Sequence, residues 1–162
     1  MDETRAPAAD DIDAIVDTVL EASRALLAVA ARCLTDAAGD VTLIQYRSLV
    51  SLCAHGPQSL ATLADAVGVS RSTESRLCER LVRKGLILRQ TDSHDRRAVR
   101  LAPTEIGRQL VATVTERRRA EIARLLELTL PEDAWLFAVS LQKLAAASDE
   151  PPSQDWGAVI DV

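Results

Sequence analysis

The 162-residue sequence predicts a mainly α fold with one small β-hairpin, on two observations. Apolar residues recur at three- and four-residue steps along most of the chain. Only residues 86–89 and 98–101 alternate like strands, and a polar, charged run separates them. The predicted order is four helices, the hairpin, and two more helices. The length suits one domain with a real core.

The first helix is expected over residues 11–35. Ile12, Ile15, Val16, Val19, Leu20, Leu26, Leu27, Ala30 and Leu34 form one stripe. At about 37 Å it is too long for one small core to cover, which suggests packing on a second subunit. The run from Asp36 through Gly39 to Asp40 breaks it. Thr42 and Gln45 have the spacing of a capping box, with Val41 and Tyr46 placed as its hydrophobic staple. Leu43, Tyr46, Leu49, Val50 and Cys53 are expected to face inward. His55-Gly56-Pro57 ends this second helix.

Ser59 opens a short helix that Gly68 closes, and Ser70 opens the next, which Gly85 stops. Within LATLADAVGVSRSTESRLCERLVRKGLI, Leu60, Leu63, Ala64 and Val67 form a buried face. Ala64 allows a close helix crossing, Gly68 permits a positive φ, and Val69 plugs the gap. Leu77 and Leu81 pack the second helix back. This is the spacing of a helix-turn-helix. The strands that follow supply a wing, giving a winged helix-turn-helix. A long helix is expected from Pro103-Thr104 to about Leu128, and a last one from near Pro131 to Ala147. The domain division is residues 36–103 for the winged unit, 1–35 and 104–147 for dimerisation helices, and 148–162 for a tail.

The net charge of −5 disfavours nucleic acid until its distribution is considered. Between Val69 and Leu101 stand Arg71, Arg76, Arg80, Arg83, Lys84, Arg89, Arg96, Arg97 and Arg100. Only Glu74, Glu79, Asp92 and Asp95 oppose them. A compact basic segment in an acidic body is the footprint of a phosphate-binding surface; a solvated basic face is the plainer alternative. Ser70, Arg71, Ser72, Thr73, Ser75, Arg76 and Arg80 are the candidate DNA contacts of the fourth helix. Short hydroxyls let the backbone approach, and arginines can grip guanine through two bonds. At the wing tip, His94, Asp95, Arg96 and Arg97 complete the set. A narrow minor groove favours an inserted arginine, and Asp95 stands where it could orient Arg97.

Residues 60–107, with the wing tip Asp92-x-x-Asp95-Arg96-Arg97 and the helix start Thr104-x-x-Gly107, resemble the MarR-type transcriptional regulators, and the match holds from residue 42. The resemblance implies a homodimer with interlocked terminal helices. It implies a regulator, expected to be a repressor, on near-palindromic double-stranded DNA, released by a small phenolic or lipophilic effector or by cysteine oxidation. It makes Arg97 the minor-groove residue and Asp95 its partner. An effector pocket between the lobes follows, with Leu26, Tyr46 and Arg47 as candidate lining residues; plain packing is their alternative role. Two positions depart from the pattern. Glu74 replaces an inner apolar residue, open to pairing with Arg71 or Arg47 or to solvent on a rotated helix. Pro103 replaces the usual leucine and removes an N–H.

Three cysteines with no C-x-x-C argue against disulfides or structural zinc. Cys53 and Cys78 fall on apolar faces, and Cys33 is the more accessible candidate for oxidation. Arg117-Arg118-Arg119 reads as a solvated patch paired locally by Glu116 and Glu121. His55 and His94 lie far apart, and no nucleophile–base pair or phosphate loop appears, so neither an enzyme nor a cofactor is expected. A winged module for protein contact would need an exposed apolar patch where the cations stand. No apolar run reaches bilayer length, and the acidic start is no signal peptide. The expectation is a cytosolic protein without a membrane partner, at the bacterial nucleoid when bound to DNA.

Overall fold

The computed structural model describes residues 9–91, 99–129 and 134–147. Six helices and one hairpin follow in order: α1 Ala9–Ala38, α2 Leu43–His55, α3 Leu60–Val67, α4 Arg71–Arg83, β1 Ile87–Thr91, β2 Val99–Pro103, α5 Glu105–Thr129 and α6 Ala134–Ala146. The predicted order stands, with shifted boundaries. α1 continues through Asp36, because nothing before Gly39 prevents helical backbone. The strands begin and end later than expected, because Leu86 is spent closing α4 and Pro103 still pairs with Ile87 across the ladder.

Local chemistry sets most boundaries. Thr42 Oγ1 accepts from the Gln45 N–H at 3.3 Å, and Gln45 Oε1 accepts from the Thr42 N–H at 3.0 Å. Val41 and Tyr46 are both buried in the core as the staple requires. Leu43, expected inward, is exposed at the first turn. Ser59 and Ser70 cap α3 and α4 through the N–H groups of Thr62 and Thr73. Gly68 adopts φ 79°, left-handed backbone that turns α3 into α4. At the end of α4, Gly85 N–H bonds Val82 and Leu86 N–H bonds Leu81, the paired closure of a Schellman turn.

The core gathers Leu49, Leu52, Leu63, Cys78, Leu81 and Ile87 with the second half of α1 and Val114 of α5. The hairpin is fastened to this body at its base. Gln58, in the α2–α3 connector, exchanges backbone hydrogen bonds with Leu101 at 2.9 and 2.8 Å. Its side-chain amide also donates to the Ser51 carbonyl at 2.9 Å. These bonds join the base of the hairpin to the α2–α3 connector.

The apolar stripe of α1 splits in two. Val29, Ala30, Cys33 and Leu34 are buried against α5, whereas Ile12, Ile15, Val16, Val19, Leu20, Leu26 and Leu27 are exposed. α6 buries no residue, and Trp135 is 79% exposed.

Candidate nucleic-acid interface

The two faces of α4 have opposite chemistry. Leu77, Cys78 and Leu81 anchor one face in the core beside Glu74. Ser72, Arg76, Glu79, Arg80 and Arg83 occupy the exposed face at helical spacing. Arg71 and Thr73 are exposed at its first turn, and Ser75 is half-buried. The hydroxyl of Ser70 lies 3.1 Å from that of Ser72 and 2.9 Å from that of Thr73. This cluster caps the helix while presenting short donors at its positive end. Ser75 is partly diverted, since its hydroxyl donates to Glu79 Oε1 at 3.5 Å.

The structure thus brings Ser70, Arg71, Ser72, Thr73, Arg76 and Arg80 onto one surface. Arg83, seven residues beyond Arg76, shares that ridge and was absent from the sequence-based set; the seven-residue step was its signal. His94, Asp95, Arg96 and Arg97 fall outside the described residues. Arg89 and Arg100 extend the cationic surface along the strands, and Arg100 also donates to the Pro57 carbonyl at 3.2 Å.

Several expectations are corrected. Glu74 does not face solvent: it is fully buried, and its Oε1 accepts from the Cys78 thiol at 3.2 Å. α4 packs on α2 and α3, and Glu74 lies on the face so covered. Cys33 is buried like Cys53 and Cys78, because the half of α1 that carries it is the half covered by α5. Burial pushes the Cys53 thiol up to about 11. Cys78 is raised further, by burial first and by its Glu74 neighbour second. Thiols so raised resist ionisation, which disfavours Cys53 and Cys78 as oxidation sensors.

The candidate effector residues differ in exposure. Tyr46 is core, while Leu26 and Arg47 are exposed. Burial raises the Tyr46 phenol, with Thr115 and Arg118 partly opposing it. Neither the Tyr46 hydroxyl nor Arg118 Nε has a hydrogen bond of good geometry. A separate cleft of about 400 Å³ opens where α2 ends, between the wing base and the start of α5, with Leu52, Leu88, Pro103 and Arg108 in its lining. Of the three consecutive arginines, Arg118 is half-buried rather than solvated. Glu121 is held by Arg124 at 2.9 Å and by Arg32 of α1 at 3.9 Å, which lowers its pKa.

Among the described residues, no three metal-ligating side chains gather, and no helix is long and apolar enough to cross a membrane.

Comparison with known proteins bears on this arrangement. The MarR family model matches residues 41–99. The uncharacterized HTH-type transcriptional regulator YfiV of Bacillus subtilis is 30% identical over 108 residues, covering 67% of this chain and 68% of its own. The HTH-type transcriptional repressor MdtR of the same organism is 31% identical over 115 residues, covering 71% and 74%. The crystal structure of RV1404 from Mycobacterium tuberculosis superposes with a TM-score of 0.82 at 38% identity, covering 91% of this chain and 99% of that one. The cationic helix-turn-helix, its wing and these relatives agree: the chain belongs to the MarR family, and it is a DNA-binding transcriptional regulator rather than an enzyme.

Proposed function

We propose that the protein is a homodimeric repressor of a near-palindromic operator, which a small lipophilic or phenolic effector releases. The observation that carries this reading is the exposed face of α4. Ser72, Arg76, Arg80 and Arg83 stand in line on it, in a chain whose net charge is −5. In this reading α4 enters the major groove, with Ser70, Arg71, Ser72, Thr73 and Arg76 at the bases or nearby phosphates. Ser75 and Arg80 flank them. At the wing, Arg97 enters the minor groove with Asp95 orienting it, while His94 and Arg96 meet phosphate. Repression is taken from MdtR, a relative named as a repressor.

Dimerisation is supported by the exposed half of α1 and the exposed apolar residues of α6. Ile15, Leu27, Trp135, Leu136 and Leu144 are each more than half exposed. An apolar surface of that extent on a small chain is an interface in waiting. Residues 1–35 and 104–147 are therefore assigned to dimerisation and 36–103 to DNA. Effector release is supported by the Tyr46 hydroxyl and Arg118 Nε, two buried polar atoms in want of partners. A phenol or carboxylate would supply them, with the exposed Leu26 and Arg47 as further candidate contacts.

The test is selection of genomic DNA by the purified full-length protein, with sequencing of what is bound, alongside its mass in solution by sedimentation. An inverted repeat bound by two chains supports the reading. A monomer, or retention of DNA without any shared sequence, refutes it.

A further inference from the structure

The last turn of α4 is tied to two other helices by consecutive residues. Lys84 reaches back to the turn that follows α1, where its ammonium donates to the Asp40 main-chain carbonyl at 2.9 Å and pairs with the Asp40 carboxylate. The next two residues face the start of α5. Thr104 Oγ1 donates to the Gly85 carbonyl at 2.6 Å, and the Thr104 N–H donates to the Leu86 carbonyl at 3.0 Å. The same hydroxyl accepts the Gly107 N–H at 3.1 Å, so it caps α5 while holding α4. Gly107 closes the joint without slack, because a Cβ there would lie 2.2 Å from the Leu86 carbonyl oxygen.

We propose that residues 84–86 form a coupling post through which α1 and α5 set the aim of α4, and that Thr104 and Asp40 are positioning residues for operator spacing. This rests on the dimeric reading above. α1 and α5 pack on each other, and both end or start at this post. A rotation of either pulls on these bonds and so passes to the helix that reads DNA. The lever is long enough to matter. α4 has 13 residues, about 20 Å of helix, so a swing of about 10° about the post moves its N-terminal end by about 3.4 Å, one step along a DNA strand. The joint therefore selects the distance between half-sites, a property distinct from the contacts made within one half-site.

The experiment uses the full-length protein and the inverted repeat recovered by genomic selection. Duplexes carry either one half-site or two half-sites respaced by one or two base pairs, and affinity is read by fluorescence anisotropy. For the wild type, respacing by one base pair is expected to cost about tenfold, comparable to one mismatched pair. In Thr104→Val, which keeps the shape but removes the hydroxyl, that cost falls to about threefold or less, with single half-site affinity unchanged. Thr104→Ser restores the wild-type profile. Asp40→Ala, at an exposed position, flattens the profile in the same direction and serves should Thr104→Val fail to fold. A profile that Thr104→Val and Asp40→Ala leave as sharp as wild type overturns the proposal, as does an equal loss of single half-site affinity. A wild type that binds one half-site as tightly as two overturns the dimeric reading itself, and this inference with it.

Discussion

The thiol of Cys78 donates to the carboxylate of Glu74 one turn earlier on the buried face of α4, at 3.2 Å, while the second carboxylate oxygen has no partner. Both residues are fully buried. A thiol is a weak donor, so the carboxyl group is poorly compensated for the water it lost. A buried polar group without a partner costs about 1–3 kcal/mol. Glu74→Met, of similar volume and flexible enough to fill the space, is expected to raise stability by about 1 kcal/mol. Urea unfolding checks this, at one fixed protein concentration because the proposed dimerisation would couple to folding. A lower midpoint in the mutant would mean that the carboxylate is better solvated than its surroundings indicate.

The same burial predicts a loss of stability in alkali. A thiol whose pKa is raised in the folded chain keeps its proton there after the unfolded chain has released it. Its contribution is whole below the unfolded value and drains away as pH climbs towards the folded one. For Cys53 that window runs from 9.0 to about 11. Unfolding free energy should therefore fall between pH 9 and 11, and fall less steeply in Cys53→Ala. Below pH 8, thiol alkylation should track global unfolding, and peroxide should leave DNA affinity unchanged. Rapid modification of Cys33 in the native protein would contradict the burial of all three thiols.

What could be read from the sequence was whatever depends on neighbours along the chain. The Thr42–Gln45 box, the Ser59 and Ser70 caps and the turn at Gly68 are settled within three or four residues, and each was legible. The side chains misplaced were those whose surroundings come from afar. Cys33 looked accessible because nothing near it in sequence announces that α5, about 80 residues on, covers that half of α1. Glu74 looked free to pair with an arginine because its full burial comes from elements packed on α4, not from its neighbours in sequence. The sequence places the strands early because Leu86 looks like strand until the closure of α4 claims its N–H. That Ser72, Arg76 and Arg80 share the exposed face of α4 follows from helical period alone, and Arg83 joins them by the same period just past the cluster.

Two glycines should respond differently to the same substitution. At Gly68, φ is 79° and nothing lies within 4 Å of an added Cβ, so Gly68→Ala meets only the conformational penalty, about 1 kcal/mol. At Gly107, the added atom would collide with the Leu86 main-chain carbonyl, and neither α5 nor the end of α4 can retreat without breaking the Thr104 bonds. Gly107→Ala is expected to cost about 3 kcal/mol or more. Thermal melts of the two mutants side by side check the ranking. Equal losses would show that the joint at the start of α5 has more play than its hydrogen bonds suggest.

The exposed face of α4 contains one acid among its cations, and the acid gives the sharper test. Arg76→Ala and Arg80→Ala each remove one cation from the face, so each should weaken binding and lower the slope of log affinity against log salt by about 1 if the residue neutralises a phosphate. A base-reading arginine would instead relax sequence preference at one position and leave the slope nearly unchanged. Glu79 sits between them on the same ridge, where its carboxylate accepts the Ser75 hydroxyl and, in the proposed docking, its charge would repel the duplex. Glu79→Gln keeps the acceptor and removes the charge. It should tighten binding to operator and random DNA alike, by a similar factor that shrinks as salt rises. A gain confined to the operator would place Glu79 at a base edge, and a loss of affinity would remove α4 from the DNA surface.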